Sequence, residues 1–150
     1  MKAPDTPPWA LEMLATARVG RLATVDAAGQ PLVVPVCFAA VGERLYWAVD
    51  AKPKQTRNLR RLRNIAENPR VSLVVDEWDE DWRRLRWVIV EGRAAEVSDP
   101  SVRARGLDAL VAKYPQYAAM ELKAAADAVI EIAPVRVIAW RAANGVQSGP

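Results

Sequence analysis

Two long runs rich in β-branched and apolar residues stand in the second half of this chain, and each is interrupted once near its middle. Leu85–Val97 carries Gly92, and Ala128–Trp140 carries Pro134. Such a run is too long to lie flat in a small sheet. A glycine lets a strand bend, and small barrels need such bends at their corners. The second run reads either as a strand pair or as one strand kinked at Pro134.

The other extended runs are shorter. Arg21–Asp26 is followed by a turn at Ala27-Ala28-Gly29-Gln30, then by Leu32–Ala39, a turn at Gly42-Glu43-Arg44, and Leu45–Val49. Close spacing with glycine in the turns predicts an antiparallel meander. Pro35 cannot donate to a ladder, so it marks an edge or a bulge. Val71–Asp76 is a fourth strand. Helices are expected over Pro8–Ala17 (capped by Thr6 or Asp5), about Ser101–Lys113 (capped through Ser98-Asp99-Pro100) and about Gln116–Ala126. Glu77–Arg84 reads as a polar, mobile connection, and the tail Arg141–Pro150 as frayed. Its acids Glu77, Asp79, Glu80 and Asp81 lack the spacing and central glycine of a calcium loop, so no metal site is expected. The expectation is one domain over residues 1–150 with its core at about 8–140. It is mainly β with α: six or so antiparallel, Greek-key-like strands in a closed or split β-barrel with flanking helices.

Between the third and fourth strands lies Lys52-Pro53-Lys54-Gln55-Thr56-Arg57-Asn58-Leu59-Arg60-Arg61-Leu62-Arg63-Asn64-Ile65. It holds six basic side chains and no acid, whereas the whole chain nets +3. The rest is therefore slightly acidic. At about 100° per residue, Leu59, Leu62 and Ile65 share one helical arc and Arg57, Arg60 and Arg61 lie opposite. Thr56 is the candidate N-cap, and Pro69 stops the helix near Asn68. Free N–H groups at a helix start, crowded by Lys52, Lys54, Gln55, Thr56 and Arg57, suit a phosphate. A solvated charged face accounts equally for Arg60, Arg61 and Arg63.

Composition removes several chemistries. There is no histidine, which excludes Ser-His-Asp and Cys-His machinery and histidine metal sites. One cysteine, Cys37, excludes an internal disulfide; within an apolar run it reads as a small buried hydrophobe. No CxxC, Walker loop or GxGxxG occurs. No apolar run reaches the length of a membrane span and no signal-peptide core is seen, so a cytoplasmic location is expected. An enzyme built this way needs a cofactor for its chemistry. Of six tryptophans, Trp78, Trp82 and Trp87 fall together near charged residues, as core or interface anchors or as platforms for a flat ring.

The order of these segments resembles the pyridoxamine-phosphate-oxidase-like, flavin-binding split-barrel family. Gly20-Arg21-Leu22-Ala23-Thr24-Val25, Lys54-Gln55-Thr56-Arg57-Asn58-Leu59, Asn68-Pro69-Arg70-Val71 and Val90-Glu91-Gly92-Arg93 are similar to its deazaflavin (coenzyme F420)-dependent reductases. The resemblance covers roughly Pro8 to Trp140. It implies a homodimer with cofactor sites between subunits. It places the cofactor phosphate on Lys52, Lys54, Gln55, Thr56, Arg57 and Asn58, and the ring along Val34, Pro35, Val36 and Cys37. Trp78 or Trp87 of the partner chain would close the pocket, with Trp140 a lesser candidate. Gln55 stands where the subgroup usually has a basic residue before threonine, which shifts phosphate contacts to Lys54 or Lys52. The implied activity is F420-dependent hydride transfer to an unsaturated small molecule, with no catalytic side chain required.

Three alternatives remain at this stage. One is an FMN-dependent oxidoreductase on the same fold, and another is a non-catalytic flavin or deazaflavin binder. The third is a basic nucleic-acid-binding barrel, against which the basic residues gather on one short stretch.

Overall fold

The computed structural model describes residues 5–50 and 59–142. Helix α1 (Pro8–Thr16) opens it, followed by β1 (Gly20–Val25), β2 (Pro31–Val36), β3 (Ala39–Val41) and β4 (Arg44–Asp50). Then come α2 (Arg60–Glu67), β5 (Arg70–Glu77), a single 3-10 turn at Trp82–Arg84 and β6 (Arg86–Glu96). Helices α3 (Pro100–Lys113), α4 (Pro115–Ala119) and α5 (Leu122–Ala125) lead into β7 (Ala126–Arg141). Seven strands form one antiparallel sheet in the order β2-β1-β5-β6-β7-β4-β3.

The two ends of that order, β2 and β3, are joined by Cys37 and Phe38 alone. The run Leu32–Ala39, read as one strand, is therefore two. Its first part pairs with β1 and its second with β4, so the curled sheet closes through this corner. The simple three-stranded meander is corrected accordingly: the long partner of β4 is β7, from Leu45↔Ile132 to Asp50↔Ala126. That pairing buries both faces of β4. Leu45, Trp47 and Val49 point into the barrel with Leu22, Leu73, Val90 and Ile130. Tyr46 points out, beneath Leu107, Leu110 and Leu122 of the helical layer. Gly106 allows α3 this approach, since a Cβ there would stand 2.9 Å from the Tyr46 ring.

Ala128–Trp140 lies within one continuous strand. β7 pairs with β6 from Ile130 to Arg141, and the register shifts at Glu91/Gly92, opposite Pro134. A Cβ on Gly92 would meet the Ala133 carbonyl oxygen at 2.6 Å, so the bend requires glycine.

Three local expectations are corrected. The N-cap of α1 is Pro7, with no side-chain cap, rather than Thr6 or Asp5; Pro8 in the first turn has no N–H to satisfy. Helix α2 starts at Arg60 with Leu59 as its extended N-cap, and the expected cap, Thr56, lies outside the described residues. The span Gln116–Ala126 is not one helix, because Glu121 takes a left-handed conformation (φ 53°) between α4 and α5. Glu77–Arg84 is an organised turn. Asp81 accepts from the Arg83 N–H and pairs with its guanidinium at 2.9 Å, and Glu77 holds Arg86 in a bidentate pair at 2.7 and 2.8 Å. Asp99 caps α3 by accepting from the N–H groups of Ser101 and Val102. Among the described residues no helix is long and apolar enough to cross a membrane.

Candidate functional site

The basic stretch joins β4 to α2. Lys52, Lys54, Gln55, Thr56, Arg57 and Asn58 lie outside the described residues, whereas both of its roots are described. At the helix root, Leu59, Leu62 and Ile65 pack into the barrel core. Asn64, buried, donates to Thr24 Oγ1 at 2.9 Å and ties α2 to β1. Arg60 and Arg63 are exposed, but Arg61 is not the solvated charge the helical wheel suggests. Its guanidinium sits 5.6 Å over the buried Trp47 ring. Burial lowers its pKa, opposed by the charge of Asp50 at the end of β4. Arg61 Nε and Trp47 Nε1 are both buried without a hydrogen-bond partner among the described residues. Two orphaned donors in one stacked pair, at the root of the basic stretch, favour an anionic or carbonyl acceptor there.

Strand β2 does not present Val34, Pro35, Val36 and Cys37 on one surface. Side chains alternate, so Val34 and Val36 join the barrel core while Pro35 faces outward and is exposed. Cys37 packs in the other cluster, with Tyr114 and Tyr117. The corner after it is held by residues the sequence reading did not single out. Tyr114 Oη accepts from the Phe38 N–H at 3.1 Å and lies 2.9 Å from the Arg18 carbonyl and 3.1 Å from the Phe38 carbonyl, to which its single proton can be donated. Lys113 Nζ donates to the Phe38 carbonyl at 2.8 Å and lies 4.1 Å from the Phe38 ring centre. Burial, with the Arg18 charge adding, brings its pKa down to about 8. Arg18 in turn donates to the Lys113 carbonyl at 2.8 Å.

Tyr117 completes this cluster. Its ring meets that of Tyr114 edge-on at 5.6 Å, and it packs in the same cluster as Cys37. Burial raises its pKa, followed by the influence of Cys37, Tyr114 and Asp50. Tyr117 therefore stands beside Cys37, the last of the residues expected along the ring, in a cluster that also holds Ala48 of β4. Tyr114 and Pro115 fall in the gap between the helices expected at about Ser101–Lys113 and Gln116–Ala126. The available signal was the scarcity of other proton-carrying side chains in a chain without histidine.

The tryptophans fall elsewhere. Trp78 is 66% exposed and meets Trp82 edge-on at 6.4 Å. Trp87 stacks on Trp140 across the β6–β7 ladder at 6.1 Å. Strands β1 and β5 separate Trp87 from Pro35. Within one chain these candidates are not brought together. Among the described residues no group of three or more Cys, Asp or Glu gathers as a metal site.

A curled seven-stranded antiparallel sheet, closed at a two-residue corner, defines a split-barrel protein. The chain belongs to the pyridoxamine 5'-phosphate oxidase family, whose model matches residues 7–141. Among curated proteins it is 32% identical, over 131 residues, to a 5a,11a-dehydrotetracycline/5a,11a-dehydrooxytetracycline reductase of Streptomyces rimosus. The match covers 87% of this chain and 79% of that one. A FAD-binding protein of Mesorhizobium loti is 28% identical, with 89% of this chain and 93% of that one aligned at a TM-score of 0.67. A conserved hypothetical protein of Mycobacterium tuberculosis shares the fold, with 21% identity, 91% and 85% coverage and a TM-score of 0.73. Family and relatives together support an oxidoreductase with a flavin-type cofactor.

Proposed function

We propose that this protein is an oxidoreductase that uses coenzyme F420 to pass a hydride to an unsaturated small molecule, as a homodimer with its cofactor sites between subunits. The observation that carries this reading is the 32% identity, across 87% of the chain, with a reductase named for a dehydrotetracycline substrate. When bound, the deazaflavin supplies the hydride. The chain's part is to bind and orient. Lys52, Lys54, Gln55, Thr56, Arg57 and Asn58 would hold its phosphate, and the orphaned Arg61 Nε at the root of that stretch fits an anionic group. Pro35 and the backbone of β2 would flank the ring, and Cys37 its end.

The sheet itself supports the dimer. Strand registers place Ala23, Val33, Val74, Ile89 and Ile138 on the outer face of β2-β1-β5-β6-β7, beside the Trp87–Trp140 stack. Val33 is 62% exposed and the others are half-buried. An apolar outer sheet face calls for a cover, and a second copy would also bring Trp87 or Trp78 toward β2.

FMN is the second reading, favoured by the FAD-binding relative at 28% identity. Titrating F420 and FMN separately, with tryptophan fluorescence as readout, decides between them. Lys54→Ala, Arg57→Ala and Arg61→Ala should each weaken the cofactor that binds by about tenfold or more, as the loss of one charge-assisted hydrogen bond implies. Unchanged affinity in all three would move the phosphate site elsewhere.

A further inference from the structure

Hydride addition to a conjugated double bond leaves an electron pair on the substrate, and a proton must neutralise it. We infer that the hydroxyl of Tyr117 delivers that proton, from the corner where β2, the end of β4 and α4 meet. The inference rests on the oxidoreductase reading above and adds a residue to it.

The neighbouring donors are committed. The Tyr114 hydroxyl is taken up by the peptide groups of Phe38 and Arg18. Lys113 Nζ is engaged with the Phe38 carbonyl and ring. The chain has no histidine to serve instead. Tyr117 is only half-buried and packs beside Cys37, whose sulfur is a weak acceptor that a stronger base can displace. Its ring is held in place against Tyr114, so the hydroxyl is positioned without being consumed. Burial and the charge of Asp50 keep the phenol fully protonated at neutral pH, as a general acid must be.

The step balances. The substrate carbon gains a hydride from the reduced deazaflavin, which is thereby oxidised by two electrons. The electron pair of the broken double bond moves to the conjugated end of the substrate, as an enolate where that end is a carbonyl. The Tyr117 O–H bond breaks to supply the proton, and the phenolate takes a proton back from water.

The chain has three tyrosines, so protein labelled with ¹³Cζ-tyrosine gives three resonances, and Tyr117→Phe assigns the relevant one. With the titrating cofactor bound in its oxidised form, 2-cyclohexenone is added as an unsaturated probe. The Tyr117 resonance should shift while that of Tyr46 stays in place. Tyr117→Phe should keep its cofactor affinity, lose about 10²–10⁴-fold in cyclohexenone reduction, and lose the solvent deuterium isotope effect of the parent protein. A Tyr117 resonance unmoved by the probe, or undiminished turnover in Tyr117→Phe, overturns the assignment. Failure of the parent protein to bind either F420 or FMN overturns the cofactor reading beneath it instead.

Discussion

Single residues at the Cys37–Phe38 corner carry more than their local neighbourhood requires. Tyr114 Oη accepts from the buried Phe38 N–H and can donate to one of two carbonyls. Tyr114→Phe keeps the ring but orphans that N–H, and should cost about 1–3 kcal/mol in urea denaturation. Lys113 has an opposite pH signature to an ordinary ion-paired lysine. Its folded pKa, about 8, lies below the ordinary 10.5, so between those values the unfolded chain binds more protons. The native state thus gains stability as pH rises through that window, and below it the charged, half-buried amine is a burden. Relative to Lys113→Met, the parent protein should gain stability from pH 8 to pH 10.5, measured as the difference between their denaturation midpoints.

At the scale of elements, β6 and β7 bend together. The Gly92 position faces the Ala133 carbonyl oxygen, which is backbone and cannot swing aside. Gly92→Ala should therefore destabilise the protein by about 1–3 kcal/mol and lower its melting temperature. The β5–β6 connection has its own device. Glu77 lies directly across the ladder from Arg86, and their bidentate pair holds the Glu77 carboxyl below its ordinary value of 4.5. A depressed folded pKa means stabilisation present above about pH 4.5 and lost as pH falls through the folded value. Glu77→Gln should melt below the parent protein at pH 7, and the gap should close in more acidic buffer. A gap that is the same at both pH values would sink this account.

For the whole molecule, the open question is what covers the outer face of the sheet. Val33→Glu or Ile89→Glu would place a carboxylate in the proposed subunit interface. Each should convert a dimer to monomer in sedimentation velocity while thermal unfolding stays cooperative, because neither side chain belongs to the barrel core. Cofactor affinity should fall with dimerisation, since the site draws on both chains. A parent protein that sediments as a monomer at micromolar concentration refutes the arrangement.

The sequence alone determined what local chemistry controls. Pro69 stops α2 at Asn68, Asp99 caps α3, Gly92 and Pro134 bend their strands, and apolar runs locate β1, β4, β5, β6 and β7 to within a residue or two. Each is a matter of a fixed φ, a missing donor or a short period, and such constraints act within a few residues. Tertiary structure alone decided which strands pair, where the run through Cys37 breaks, and which basic side chains turn inward. Arg60 and Arg61 read alike on a helical wheel; only the position of Trp47 across the barrel draws Arg61 in. Tyr114 bonds Phe38 and Arg18 across 76 and 96 positions of chain, and no local pattern encodes such contacts. The barrel closes where the chain path returns to itself, and that closure assembles the corner at which Cys37, Tyr114 and Tyr117 meet.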